Sequence, residues 1–239
     1  MFLSLFPISW RLAAVVASCL SLVSCYRIES VPSAFWNEKG ARIAVVVDLH
    51  DKQARYNLRD AAGPHPVDHP VGLVGALAGV KPDSFRALKG RFASELRKRG
   101  FRNVVEVKGD IHWKDFPRRS GGDLGTGGRD YSSLLASQNA DYLIVLSQRG
   151  YGVTQRYFGG AGIAAPWGSA DSGGIMIKKG VAQPVWYTGP LAGMQATEVD
   201  EGWDRPNYSG ATKAAREALA LSGQFLYDEF FGYESSDEE

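Results

Sequence analysis

The chain has 239 residues, of which 44% are hydrophobic and 22% charged, too apolar for a disordered segment and enough material for one large domain. Lys and Arg number 27 against 26 Asp and Glu, and the balance becomes 26 to 26 once residues 1–24, whose only charge is Arg11, are set aside. So even a balance projects no basic field, which argues against nucleic acid as a partner.

The N-terminal stretch is the first element. Arg11 is followed by an apolar and small-residue run, Leu12–Ser24, that ends in Leu22-Val23-Ser24-Cys25. A positive residue, an apolar stretch and small residues at its end are the parts of a secretory signal. Both cysteines, Cys19 and Cys25, fall here, so the body from Tyr26 onward has no disulfide, thiolate metal site or cysteine nucleophile. Leu22-Val23-Ser24-Cys25 resembles the lipobox of bacterial lipoproteins. The resemblance implies a signal peptide over 1–24, cleavage before Cys25 and palmitate-type lipidation of that cysteine. It also implies a protein of the cell envelope, facing the periplasm. Tyr26 stands where inner-membrane lipoproteins commonly carry Asp, which favours the outer membrane. Val16-Ala17-Ser18-Cys19 fits the pattern loosely, but a cut there leaves only Leu12–Ser18 as the apolar run. Two further readings of 1–24 stay open, a plain secretory signal and an uncleaved anchor. The anchor has about the 20 residues a membrane helix needs, but Arg11 near its centre costs roughly 2.5–3.5 kcal/mol.

Residues 25–40 read as the lipidated cysteine and a polar tether containing Pro32 and Gly40. Arg42–Leu49 is a continuous branched apolar run, expected to be a strand buried on both faces. Residues 50–81, with Gly63, Pro64, Pro66 and Pro70, read as irregular. From Pro82 the spacing of Phe85, Leu88, Phe92 and Leu96 predicts a helix with one apolar stripe, ended by Arg97–Arg99 and Gly100. Phe101–Val107 predicts a strand, Ser120–Gly128 a Gly-rich connector, Ser132–Asn139 a short helix, and Tyr142–Leu146 a third buried strand. Tyr151, Val153, Gln155 and Tyr157 then alternate, and Gly174–Lys178 and Gln183–Thr188 read as short strands of an antiparallel meander. A last helix is expected over Ala211–Phe230, with Ala215, Ala218, Ser222 and Phe225 on one face, before the acidic tail Glu234–Glu239.

The order β-α-β-α-β, then antiparallel strands, then a C-terminal helix, predicts a single α/β domain over 41–233, a mixed sheet covered by helices. Gly100-Phe101-Arg102-Asn103-Val104 and Ala140–Val145 resemble segments of the periplasmic α/β lipoprotein domains of the curli-secretion and penicillin-binding-protein-activator type. That resemblance implies fold only and carries no functional residue.

Candidate sites are few. Asp48, His50 and Asp51 close the first strand, at the end of an α/β sheet where ligands gather, and a carboxylate beside an imidazole can bind a metal or share a proton. The bland alternative is a polar strand end. His65 and His69 flank Asp68 in a proline-rich loop whose i,i+4 spacing suits zinc only on a helix. Gly159–Gly174, an almost uncharged segment containing Pro166-Trp167, reads as a long connector that serves as an interaction lid, a membrane-contacting segment or a mobile loop. Trp167 is its candidate partner-binding residue. Trp113, Trp186 and Trp203 are single aromatics suited to core, interface or sugar stacking. No phosphate loop or nucleophile elbow occurs, so no cofactor is expected and an enzyme is the less favoured reading. The expectation is an envelope lipoprotein whose domain binds a protein partner or its own copies. The alternative is a lipid-anchored hydrolase or small-ligand or metal binder using Asp48, His50 and Asp51.

Overall fold

The computed structural model describes residues 30–50, 52–60, 71–119, 129–158, 161–162, 166–188, 195–198, 204 and 206–232. The signal, Cys19, Cys25 and the acidic tail lie outside them. The α/β class and the mixed, helix-covered sheet are as the pattern predicts. Its elements are α1 (Ser33–Asn37), β1 (Arg42–Leu49), β2 (Arg55–Asp60), α2 (Val71–Ala78), α3 (Asp83–Lys98) and β3 (Asn103–Glu106). After these come α4 (Ser132–Ser137), β4 (Tyr142–Phe158), β5 (Ala161–Gly162), β6 (Trp167–Lys178), β7 (Trp186–Tyr187), β8 (Gln195–Glu198) and α5 (Ser209–Phe231).

The sheet runs β3-β1-β4-β6-β7, with β2 and β5 also on β4 and β8 on β6. β3, β1 and β4 are parallel, and β6 turns antiparallel against β4. Period-2 alternation sends Ile43, Val45, Val47 and Leu49 of β1 into one layer and Ala44 and Val46 into the other. The first layer is thick. It holds the α3 stripe Phe85, Leu88, Phe92 and Leu96, together with Ala211, Ala215, Ala218 and Leu226 of α5. Ser222 is buried as expected, whereas Phe225 is only half-buried. The second layer is thin, with Tyr131 and Leu135 at the short α4 against Leu143, Val145, Ile175 and Ile177.

Three expectations need correction. Residues 31–37 are not simply tether: Val31 is buried, and the Phe35 ring lies 4.9 Å from Phe101, 5.1 Å from Tyr142 and 6.0 Å from Phe230. Those partners are distant in sequence, so a polar local composition hides them. The 50–81 stretch is not all irregular. β2 continues along the same edge of β4 that β1 occupies, Leu49 pairing with Gln148 and Arg55 with Gly152, after a short excursion at 50–54. Gly152 permits it: its φ is +149°, and a Cβ there would overlap the Arg55 carbonyl. α2 forms despite its glycines because Leu73 and Leu77, i and i+4, are both buried. Finally, much of the 159–174 connector is strand. β6 begins at Trp167, and its Gly and Ser residues, poor strand formers alone, are held by β4 and β8 on either side. Gly173 and Gly174 lie flat beneath the Arg149 guanidinium and the Trp186 indole, where side chains would not fit.

Side chains of α3 cap one carbonyl of the β3 edge and brace the turn that follows it. Arg97 Nη2 donates to the Val104 carbonyl (3.0 Å), and Lys89 Nζ donates to Val107 (2.7 Å) and Gly109 (3.2 Å).

Candidate functional site

The carboxyl end of β1 and the middle of β4, which pairs with it, bring together what the chain scatters. Asp48 sits opposite Ser147 in the parallel register, and both point into the α4 layer. Beyond β3 the chain keeps pairing with β1: Leu49 N–H donates to Ile111 (3.1 Å), and Ile111 N–H to Val47 (2.9 Å). That pairing delivers the 3-10 turn Trp113–Asp115 to the end of β1. There the Trp113 indole stacks on the His50 imidazole, with centroids 4.9 Å apart and planes 28° apart. The Arg129 guanidinium also lies over that indole, 4.2 Å from its centroid, and donates to the Phe116 carbonyl at 2.9 Å.

Asp48 is fully buried. Its Oδ2 accepts from the Tyr131 hydroxyl (3.0 Å) and the Ser147 hydroxyl (3.3 Å), and lies 3.3 Å from His50 Nε2. Its Oδ1 is buried with no hydrogen-bond partner among the described residues. Burial, then the Asp48 charge beside it, pushes the Tyr131 phenol far above its ordinary value, so it stays a donor throughout the physiological range. Asp171, on the neighbouring strand, is also pushed up by burial. Arg149, whose Nη1 is 3.7 Å away, and His50 oppose that shift.

These groups surround a small pocket of about 40 Å³ lined by His50, Trp113, Arg129, Tyr131, Ser147 and Arg149, among others. It has room for a few waters, well short of the several hundred Å³ of a small-molecule site. The chemistry it permits is limited. Ser147 turns its hydroxyl to the carboxylate and not to the imidazole, so no serine–histidine relay is assembled. No group of three His, Cys, Asp or Glu able to hold a metal occurs among the described residues.

Of the sequence candidates, Asp48 and His50 do meet. Asp51 and the His65, Asp68, His69 group lie outside the described residues, as does Trp203. Trp167 is half-buried at the start of β6 with the Arg156 guanidinium 5.2 Å over its ring, and Pro166 is buried. Trp186 is a core residue, in edge contact with Phe230 at 4.8 Å. Tyr131, Ser147 and Arg149 were not singled out by the sequence; the one available signal was that Ser147 follows a buried strand, as Asp48 does.

No family model and no curated protein matches the chain. Solved structures similar to it include the PelC dodecamer from Paraburkholderia phytofirmans, 16% identical over 82% of this chain and 95% of that one, with a TM-score of 0.31. Protein XCC0632 from Xanthomonas campestris is 11% identical over 85% and 92%, with a TM-score of 0.38. Lipoprotein GNA1162 from Neisseria meningitidis is 10% identical over 68% and 88%, with a TM-score of 0.31. Likeness this loose assigns neither residue roles nor function. Among the described residues no helix is long and apolar enough to cross a membrane.

Proposed function

We propose that this chain is an envelope lipoprotein anchored through Cys25, and that its α/β domain works by binding a protein partner or neighbouring copies rather than by catalysis. The observation that carries the reading is Leu22-Val23-Ser24-Cys25 closing an apolar run, with only residues 26–30 between that cysteine and the buried Val31. At about 3.3–3.6 Å per extended residue, such a leash holds the domain within about 20 Å of its lipid. One acyl chain anchors marginally and two or more anchor stably, which a lipidated cysteine supplies. Tyr26 favours the outer membrane, and the domain faces the periplasm.

The non-catalytic part of the reading is supported by the turned-away Ser147 hydroxyl and the small pocket beside it. Arg97 caps the Val104 carbonyl on the β3 edge, which weakens that edge as a pairing surface and points to faces and loops, Trp167 included, as contact surfaces. The 3.3 Å approach of His50 to Asp48 favours the second reading, a ligand-binding site at the strand ends.

Replacing Cys25 by Ala is expected to abolish palmitate labelling and release the protein from membranes; labelling that persists overturns the anchor. Crosslinked pull-down from intact envelopes tests the domain. Partner capture is expected to survive His50→Ala with Asp51→Ala and to drop with Trp167→Ala. Loss with the His50 and Asp51 pair would favour the ligand reading.

A further inference from the structure

The thin layer of the sheet leaves room that the thick one does not. α4 has six residues, and beside it runs a groove of about 440 Å³, within the size range of small-ligand sites and larger than the pocket of about 40 Å³ between His50 and Tyr131. Its apolar wall is built on buried Leu135 and Ile177 and faced by exposed Ala136, Val181 and Ala182, Val181 being 45% exposed.

The charge along the groove is lopsided. Arg119, Arg129, Lys178 and Lys179 line it, against Asp130 alone. Hydrogen bonds from the Ser132 hydroxyl and N–H, and more weakly the charge of Arg119, hold the Asp130 carboxyl below the usual range, so one acid offsets part of one of the four cations. Lys178 is bonded to Glu38 at 2.7 Å, and Arg129 is fixed between the Phe116 carbonyl and the Trp113 ring. Lys179 is exposed on the turn beside Val181.

We propose that this groove binds a single anionic amphiphile, a phosphate or carboxylate carried on an apolar body. Lys179 and Arg119 meet the anionic head through charge-assisted hydrogen bonds. The body covers Ala136, Val181 and Ala182, removing exposed apolar surface of groove and ligand from water. The groove borders the Asp48 network, sharing Tyr131 and Arg129 with it, and does not depend on the lipid anchor.

The test is calorimetric titration of the full-length chain in zwitterionic-lipid nanodiscs with octyl phosphate, empty discs serving as reference. One saturable site is expected. Inorganic phosphate, which lacks the body, and octyl glucoside, which lacks the charge, each bind about tenfold or more weakly. Lys179→Glu and Val181→Asp, both at exposed positions, each weaken octyl phosphate about tenfold while leaving the thermal midpoint of the unliganded protein in place. Unchanged affinity in Lys179→Glu overturns the proposal, as does octyl glucoside binding as tightly as octyl phosphate. Adding phosphatidylglycerol to the discs names the source: competition places the ligand in the bilayer, and its absence places it in solution.

Discussion

Phe35→Ala separates a folded N-terminal segment from a mere leash. The native ring is 2% exposed, stacked at 4.9 Å on Phe101 and in edge contact with Tyr142 at 5.1 Å and Phe230 at 6.0 Å. A buried phenylalanine removes about 150–250 Å² from water. Its truncation leaves a cavity among rings that cannot collapse inward, because Phe101 sits two residues before β3 and Tyr142 begins β4. Core Phe→Ala changes cost about 3–5 kcal/mol, against a total domain stability of about 5–15 kcal/mol. Urea unfolding of the full-length chain, followed by circular dichroism, should show that loss. Asn37→Ala, on the exposed side of the same turn, should stay within about 0.5 kcal/mol of the parent. A Phe35→Ala cost below about 1 kcal/mol, equal to that of Asn37→Ala, would refute the packing argument and return residues 31–37 to the tether.

Gly152→Ala should cost about 2–5 kcal/mol, combining left-handed strain with overlap on Arg55, and hydrogen exchange at 55–60 should accelerate before the rest of the sheet. Asp48→Ala leaves the buried Tyr131 hydroxyl without its acceptor and should cost about 1–3 kcal/mol, more than His50→Ala; equal costs would mean that the network does not hold the strand ends together. Asp171 has a native pKa raised by burial, so the folded state holds its proton more tightly than the unfolded chain does. Stability therefore falls as pH rises from the unfolded value near about 4 through the raised native one. Asp171→Asn escapes that loss, and its thermal midpoint should gain on the parent between pH 4 and pH 7; a gain that shrinks with rising pH would count against the reasoning. Arg97→Ala uncaps the Val104 carbonyl on the β3 edge and should produce concentration-dependent association in sedimentation velocity.

The elements legible in the sequence were those whose partners are implied by their own periodicity. Arg42–Leu49 announces burial on both faces, and the Phe85–Leu96 stripe announces one helix face. What stayed hidden depends on pairing at a distance. β2 and the first half of β6 carry Asn, Gly and Ser that favour no strand by themselves; β4, running unbroken from Tyr142 to Phe158, supplies the ladder for both. The site follows the same division. Asp48 and His50 stand out because they end a strand. Trp113, Tyr131 and Ser147 reach them only through the Ile111 bridge, the start of α4 and the parallel register, none of which has a local signature.

The aromatic cluster joining α1 to the end of α5 has a mechanical side. Phe35 enters it from one end of the described chain and Phe230 from the other, with Trp36 and Phe231 6.1 Å apart beside them. Tension applied between these two ends meets that knot of rings before it reaches β1, the next element along the chain. A pull that drags on the leash would therefore peel α1 away from its rings before it unzips the sheet.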